Sequence, residues 1–282
     1  MPPPTIPDLT PLPSDSPVSA TELDAEVGFD ERLAILYALA LGLGEDAAPA
    51  ERAYLQPMQH MAVVPTLVSA VLDDGPVASR LGRDSSEAQQ LQYNREQLTL
   101  YRPPLARAVL KAKRRLQSTE NDGLRLDTEL RNARDETVIA SCTRSYAVAA
   151  DSTGLAARAE QDRVPGRSPD LVCSLKTHAN QAILYSLFES FLAEGAAPKL
   201  TDASGLPAGF VHGLACRALL QTICSYDYTL IGSFDLSFVA PLFPGDELIT
   251  EMWQDGNVVR FRCLEGRRGT VVASGGSCEL RA

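Results

Sequence analysis

The sequence predicts an α+β protein made of two tandem copies of one unit, in which an antiparallel sheet packs on a long helix. Two patterns point to this class. In the first half, apolar residues recur at helical spacing and then alternate as in half-buried strands. The same order of segments returns in the second half, which is the signature of a duplicated unit.

The first half supplies two predicted helices and four predicted strands. Apolar residues at spacings of three and four predict a helix from Glu31, which Gly42 and Gly44 end. A second apolar helix is predicted over residues 61–72, with Pro65 in its first turn. Alternation then predicts strands over residues 97–105, 109–117, 124–132 and 137–149.

Composition sets the expected domain boundaries. Residues 1–21 carry seven prolines and few large apolar side chains, which predicts a flexible tail. Residues 150–169 are rich in turn formers and predict a linker. The two units are therefore expected over residues 22–149 and 170–282. Pairing them side by side would bury an exposed sheet edge and create an interface of the kind where ligands bind.

Bulk properties exclude several functions. A net charge of −10 argues against a nucleic-acid-binding surface, because phosphate neutralisation needs clustered Lys and Arg. The six cysteines show no C-x-x-C pair, so we expect buried free thiols and neither a metal nor a cofactor. No signal peptide and no apolar run of membrane-spanning length is visible, which predicts a cytoplasmic protein without a membrane partner.

Four segments of the second half carry a family resemblance: QAILYSL, GFVHGL, SFDLSFVAPLFPGDELITEMW and VVASGG, in that order. With them the chain resembles the MaoC-like double-hotdog (R)-specific enoyl-CoA hydratases and dehydratases over nearly all of residues 27–280. The resemblance implies a tandem (double) hotdog, each half a curved antiparallel sheet wrapped around a long helix. It also implies an acyl-thioester ligand, held by CoA or a carrier protein, and either a homodimer or a hotdog-family partner.

The resemblance fails at the catalytic residues. In that family an Asp and a His in a G-D-x-N-P-x-H loop carry out the acid–base chemistry, and the Gly N–H of a His-Gly-Leu motif binds the thioester oxygen. The spacing from Tyr185 to His212 matches without gaps and places Ser190 at the Asp position and Gly195 at the His position. The motif is therefore predicted to be degenerate, with Gly213 of the oxyanion element retained at a helix start.

Helical periodicity around Ser190 agrees with this expectation. The apolar stripe from Ile183 to Leu192 predicts a continuous helix where the family has a loop. Glu189 and Glu194 flank the lost positions and are either replacement bases or solvated carboxylates. Ser190 is either a hydrogen-bond partner of the substrate or a helix-packing residue.

The predicted substrate-binding residues lie around the oxyanion element and the first-half pocket: Gly213, His212, Tyr185, Phe210 and Pro65. His212 is expected to act structurally. Three functions remain open from the sequence. The first is an enzyme that acts on an acyl thioester or a related biosynthetic intermediate with other residues, as a dehydratase, isomerase or cyclase. The second is a catalytically silent thioester-binding subunit or partner of an active hotdog enzyme. The third is a pocket that promotes cyclisation of a reactive intermediate by shape.

Overall fold

A computed structural model of the protein describes residues 21–45, 48–57, 60–72, 91–119, 123–148, 164–192 and 205–281. Within these ranges the chain forms ten strands, in one antiparallel sheet. The strands are β1 (Thr21–Phe29), β2 (Leu91–Leu100), β3 (Ala108–Ser118), β4 (Leu124–Asn132), β5 (Val138–Val148), β6 (Leu171–Lys176), β7 (Ile231–Phe238), β8 (Glu247–Asp255), β9 (Val258–Glu265) and β10 (Val271–Leu280). The helices are α1 (Glu31–Ala40), α2 (Arg52–Leu55), α3 (Leu67–Ala70), α4 (Ala179–Leu192) and α5 (Ala208–Thr222).

The strand order shows the duplication directly. Neighbouring strands run β1-β3-β4-β5-β2-β7-β10-β9-β8-β6, so that each half has the same internal order and the two orders are mirror images across the centre. The halves meet where β2 pairs with β7, with Leu98 opposite Phe234 and Glu96 opposite Leu236. This pairing buries one edge of each half, as the sequence predicted.

The helices pack on one side of this sheet. Helix α5 is buried from Phe210 to Leu220, which fits its nearly uniform run of apolar and small residues. Helices α1 and α4, the segments that repeat one another in sequence, pack together. Their contact is aromatic, with the ring of Tyr37 5.0 Å from that of Phe188 and 6.2 Å from that of Tyr185. None of the helices in the described ranges is long and apolar enough to cross a membrane.

Three expectations about elements need correction. The helix expected over residues 61–72 is helical only at α3, because Pro65 disfavours helical backbone at Val64. Thr21, taken as the end of the tail, begins β1, which pairs with β3 at the sheet edge. Strand β2 begins at Leu91, ahead of the predicted 97, and ends at Leu100, before the two prolines at 103 and 104. The helix from Glu31 and the strand over 124–132 are confirmed.

The predicted domain boundaries stay predictions. Residues 1–20 of the expected tail and residues 150–163 of the expected linker lie outside the described ranges. Residues 164–169 are described and contain neither helix nor strand.

A buried ion pair joins the halves. Arg217 on α5 lies 3.4 Å from Glu51 and donates to the carbonyl of Leu41 at 2.8 Å. The carboxylate of Glu51 also accepts from the backbone N–H of Gly44 at 2.7 Å and from the hydroxyl of Tyr226 at 2.8 Å. Each carboxylate oxygen of Glu51 is therefore hydrogen-bonded, which compensates the cost of burying the charge.

We expect Gly213→Ala to destabilise the fold, because an added methyl would lie 2.5 Å from Tyr37 Oη and 2.8 Å from Leu41. Overpacking of this kind costs about 1–3 kcal/mol of unfolding free energy. Urea unfolding measures the change. The matched control is Gly166→Ala, at an exposed position with nothing within 4 Å of the added carbon. Equal stability of both variants would contradict the close packing of α1 on α5.

Candidate functional site

Helix α4 contains Glu189 and Ser190, two of the residues that the sequence analysis proposed for the site. It runs unbroken from Ala179 to Leu192, so both Glu189 and Ser190 are helical, as the apolar stripe predicted. The Ser190 hydroxyl donates to the Leu187 carbonyl of the same helix at 2.7 Å. The positions of Glu194 and Gly195 lie outside the described residues.

Helix α5 starts earlier than predicted. Its first residue is Ala208, so Gly213, which was predicted at a helix start, is in the helix interior. The first-turn N–H groups, which have no partner inside a helix, include those of Ala208 and Gly209. A role for Gly213 in binding stays a prediction. Its lack of a side chain is explained by the approach of Tyr37 from α1 and of Leu41, which follows α1 directly.

A cavity of about 120 Å³ lies where the two halves meet. Both halves contribute ionisable or hydroxyl side chains to its wall: Tyr93, Glu96 and Arg144 from the first half, and Tyr185, Glu189 and His212 from the second. Ala208 and Gly209, at the start of α5, also line it. The interface between the units thus holds a polar cavity.

A β-bulge turns two residues of β2 toward this cavity. The pairing of β2 with β5 shifts between Tyr93, opposite Tyr146, and Arg95, opposite Ser145. Residues 93 and 96 would face opposite sides of a regular strand, but the extra residue Asn94 brings both to the inner face. The Tyr93 hydroxyl then donates to Oε2 of Glu96.

Glu96 lies at the centre of a buried polar cluster and is 1% exposed. Its Oε2 lies 3.5 Å from Nε of Arg144, and its Oε1 lies 3.3 Å from Nδ1 of His212. The Arg144 guanidinium also donates to the carbonyls of Leu72 at 2.9 Å and Ser69 at 2.5 Å. Arg144 therefore links the carboxylate to the end of α3.

His212 is neutral in this setting. Burial lowers its pKa from the usual 6.5, and the Glu96 carboxylate opposes that shift only in part. The ring packs edge-on against Phe234, with centroids 5.0 Å apart. Its structural role, predicted from sequence, is compatible with these contacts.

Tyr185 brings a buried hydroxyl group to the cavity wall. A methyl group on Gly209 would lie 2.6 Å from its hydroxyl oxygen, so the glycine makes room for the phenol at the start of α5. Burial raises the pKa of Tyr185 well above 10, and the hydroxyl therefore keeps its proton. Phe210 packs edge-on against the Tyr185 ring at 5.4 Å.

The structure gathers only part of the predicted site. Tyr185, His212 and Glu189 line the cavity, whereas Ser190 is not among the lining residues. Phe210 is fully buried behind Tyr185, and Pro65 is buried beside the lining residue Thr66.

Sequence reasoning missed the three first-half residues Tyr93, Glu96 and Arg144. One signal was available for Arg144. Strand alternation places it on the same face as the apolar residues Cys142 and Tyr146, which is an unusual position for a charge.

Solved structures with the same fold define the class of protein. A MaoC-like dehydratase from Phytophthora capsici superposes with a TM-score of 0.71 at 18% identity, covering 93% of this chain and 95% of that one. A conserved Mycobacterium tuberculosis protein described as a double hotdog superposes with a TM-score of 0.52 at 16% identity, over 94% and 97%. The chain is a double-hotdog protein of the α+β class.

Sequence comparison finds relatives among peroxisomal enzymes. The chain is 26% identical over 279 residues to the peroxisomal enoyl-CoA hydratase 2 of Arabidopsis thaliana, covering 88% of this chain and 89% of that protein. It is 32% identical over 122 residues to mouse peroxisomal multifunctional enzyme type 2, covering 42% of this chain and 17% of that enzyme. No protein-family model matches the chain. These likenesses support a MaoC-like family.

Within the described ranges no group of three or more His, Cys, Asp or Glu side chains is arranged to hold a metal ion.

We expect acidification to weaken the fold through His212. Since its pKa is lowered from 6.5 in the folded protein, the unfolded chain binds more protons below that pH. The free energy of unfolding then falls as the pH decreases through 6.5, with a slope of up to about 1.4 kcal/mol per pH unit. In urea unfolding, the His212→Gln variant should lose this pH dependence of the unfolding free energy. The control His178→Gln, at an exposed histidine, should keep it. An unchanged slope in His212→Gln would contradict the assignment.

Proposed function

We propose that the protein is a hydratase/dehydratase-type lyase that adds water to, or removes it from, an acyl thioester bound in the cavity between the halves. The observation that carries the proposal is the convergence of hydrogen-bond donors and carboxylates on one cavity. Tyr185 and the start of α5 supply the donors, and Glu96 and Glu189 supply the carboxylates. The relatives named as enoyl-CoA hydratases support the reaction class.

The donors suit a thioester oxygen that becomes enolate-like. The Tyr185 hydroxyl is protonated and lies against Gly209. The N–H groups of Ala208 and Gly209 are in the first turn of α5, at the positive end of the helix dipole. Preorganised donors of this kind stabilise negative charge that develops during the reaction.

Proton transfer in this proposal falls to a carboxylate of the cavity wall, in place of the family's Asp and His. Glu189 precedes the lost Asp position and lines the cavity at partial exposure. Ser190 directs its hydroxyl to its own helix, which leaves it less suited to the role. Glu194 remains a sequence-based candidate outside the described residues.

A catalytically silent acyl-thioester-binding subunit is the competing proposal, working with an active hotdog partner or as a homodimer. The continuous helix through Ser190 favours it, because α4 leaves no loop at the position of the family Asp. Promotion of cyclisation by shape is a further alternative, to which the buried Tyr185 of the cavity wall, packed against Phe210, is suited. A cytoplasmic location stays a prediction.

We expect the purified chain to interconvert short trans-2-enoyl-CoA and 3-hydroxyacyl-CoA thioesters. Tyr185→Phe should lower kcat by about 10²–10³-fold, the usual cost of losing one oxyanion donor. Loss of enoyl-thioester absorbance measures the rate, and Tyr101→Phe, at an exposed tyrosine, is the matched control.

The outcomes separate the proposals. Equal rates for Tyr185→Phe and Tyr101→Phe would exclude the proposed oxyanion contact. Binding of the thioesters without turnover would support the silent subunit, and neither binding nor turnover across the panel would overturn an acyl-thioester function.

A further inference from the structure

Two buried carboxylates bridge the halves, and they differ in one respect. Both oxygens of Glu51 accept hydrogen bonds, from Gly44 and Tyr226. Glu96 is equally buried, but its Oε1 has no hydrogen-bond partner among the described residues. An unsatisfied buried carboxylate oxygen costs free energy and calls for a functional explanation.

The surroundings of Glu96 hold one carboxylate oxygen by a hydrogen bond and leave the other, which is also buried, without one. Its Oε2 accepts from Tyr93 and lies beside Arg144. Its Oε1 is on the side of His212, at 3.3 Å from Nδ1, and both side chains belong to the cavity wall. A carboxylate fixed through one oxygen is oriented for proton exchange through the other.

The bulge at Asn94 is a second, independent observation. It breaks the regular β2–β5 register and thereby places Tyr93 on the same face as Glu96. Bulges of this kind re-aim side chains next to active sites. The backbone irregularity serves the orientation of Glu96, since Tyr93 donates to its Oε2.

We propose that Glu96 is the proton-transferring group of this site and that Tyr93 and Arg144 hold its carboxylate in place. The proposal rests on the acyl-thioester function and assigns the missing acid–base role to the first half of the chain. In the family that the chain resembles, this role belongs to residues of the second half.

The reaction balances with Glu96 alone. In dehydration, Oε1 takes the proton from the carbon next to the thioester carbonyl, and the C–H electron pair moves into the enolate. The C–O bond at the next carbon then breaks as the enolate forms the double bond. The protonated Glu96 returns its proton to the departing hydroxyl, which leaves as water. Hydration follows the same steps in reverse, and the carboxylate is regenerated in both directions.

Exchange of the substrate's α-proton tests this role without requiring elimination. The probe is a saturated short acyl-CoA in deuterated water, with deuterium uptake followed by mass spectrometry. We expect the wild type to exchange and Glu96→Gln to exchange about 10²–10⁴-fold more slowly. A purely structural Glu96 would change thermal stability but leave exchange per folded molecule unaltered.

Two further variants make the outcome decisive. Glu129→Gln, at a carboxylate paired with Arg131, should exchange at the wild-type rate. Glu189→Gln tests the competing carboxylate, and a larger loss there than in Glu96→Gln would overturn the proposal. If Glu96→Gln does not fold, Glu96→Asp replaces it, and normal exchange by this shortened carboxylate would also overturn it.

Failure of the proposed function gives a different result. If the wild type exchanges the α-proton but adds water to no enoyl-CoA, the proposed lyase reaction is excluded and the role of Glu96 in proton transfer is still supported. If Glu96→Gln still adds water to an enoyl-CoA at the wild-type rate, the proposed role of Glu96 is excluded and the lyase reaction is supported. Absence of exchange in the wild type would overturn the assignment of Glu96.

Discussion

The pairing of β2 with β7 is the contact on which the rest of the structure depends. It joins two strand sets of the same internal order into one sheet and brings the inner face of β2 under helix α5. Glu96 reaches His212 only because these two strands are neighbours. The cavity is therefore a product of the duplication, since neither half supplies its polar wall alone.

Two clusters of buried charge lie at this junction, and they are stabilised by different contacts. The Glu51–Arg217 pair is closed, with backbone and hydroxyl groups completing the coordination of the carboxylate. The cluster around Glu96 is anchored through Arg144 to the carbonyls of Ser69 and Leu72. Removal of one partner from such a pair leaves an uncompensated charge, so both clusters also fix how the halves sit together.

Much of the fold follows from the sequence because hydrophobic periodicity is local. The helix from Glu31 and the strand over 124–132 were predicted for this reason. Strand β1 and the start of β2 escaped prediction, since TELDAEVGF and LQYNREQ are rich in charged and polar residues. The helix expected over residues 61–72 was wrong because Pro65 restricts the backbone before it.

The site was predictable only where spacing along the chain is preserved. The gapless match from Tyr185 to His212 located three residues of the cavity wall, Tyr185, Glu189 and His212. Glu96 and Arg144 come from strands whose partners lie far away in sequence, and the bulge at Asn94 breaks the alternation that would have placed Tyr93 and Glu96. Long-range pairing and a one-residue irregularity cannot be inferred from local pattern.

The central strand pair also sets an order of events during folding. Strand β2 can pair with β5 once the first half is complete, but its other edge stays open until β7 has been made. Pairings of such long sequence separation form slowly, and open edges recruit other chains. Arg95 and Gln97 face outward on this edge and later contact Asp235 across the junction. These polar side chains thus disfavour aggregation of the first half before β7 is made. They then stabilise the completed sheet through their hydrogen bonds to Asp235.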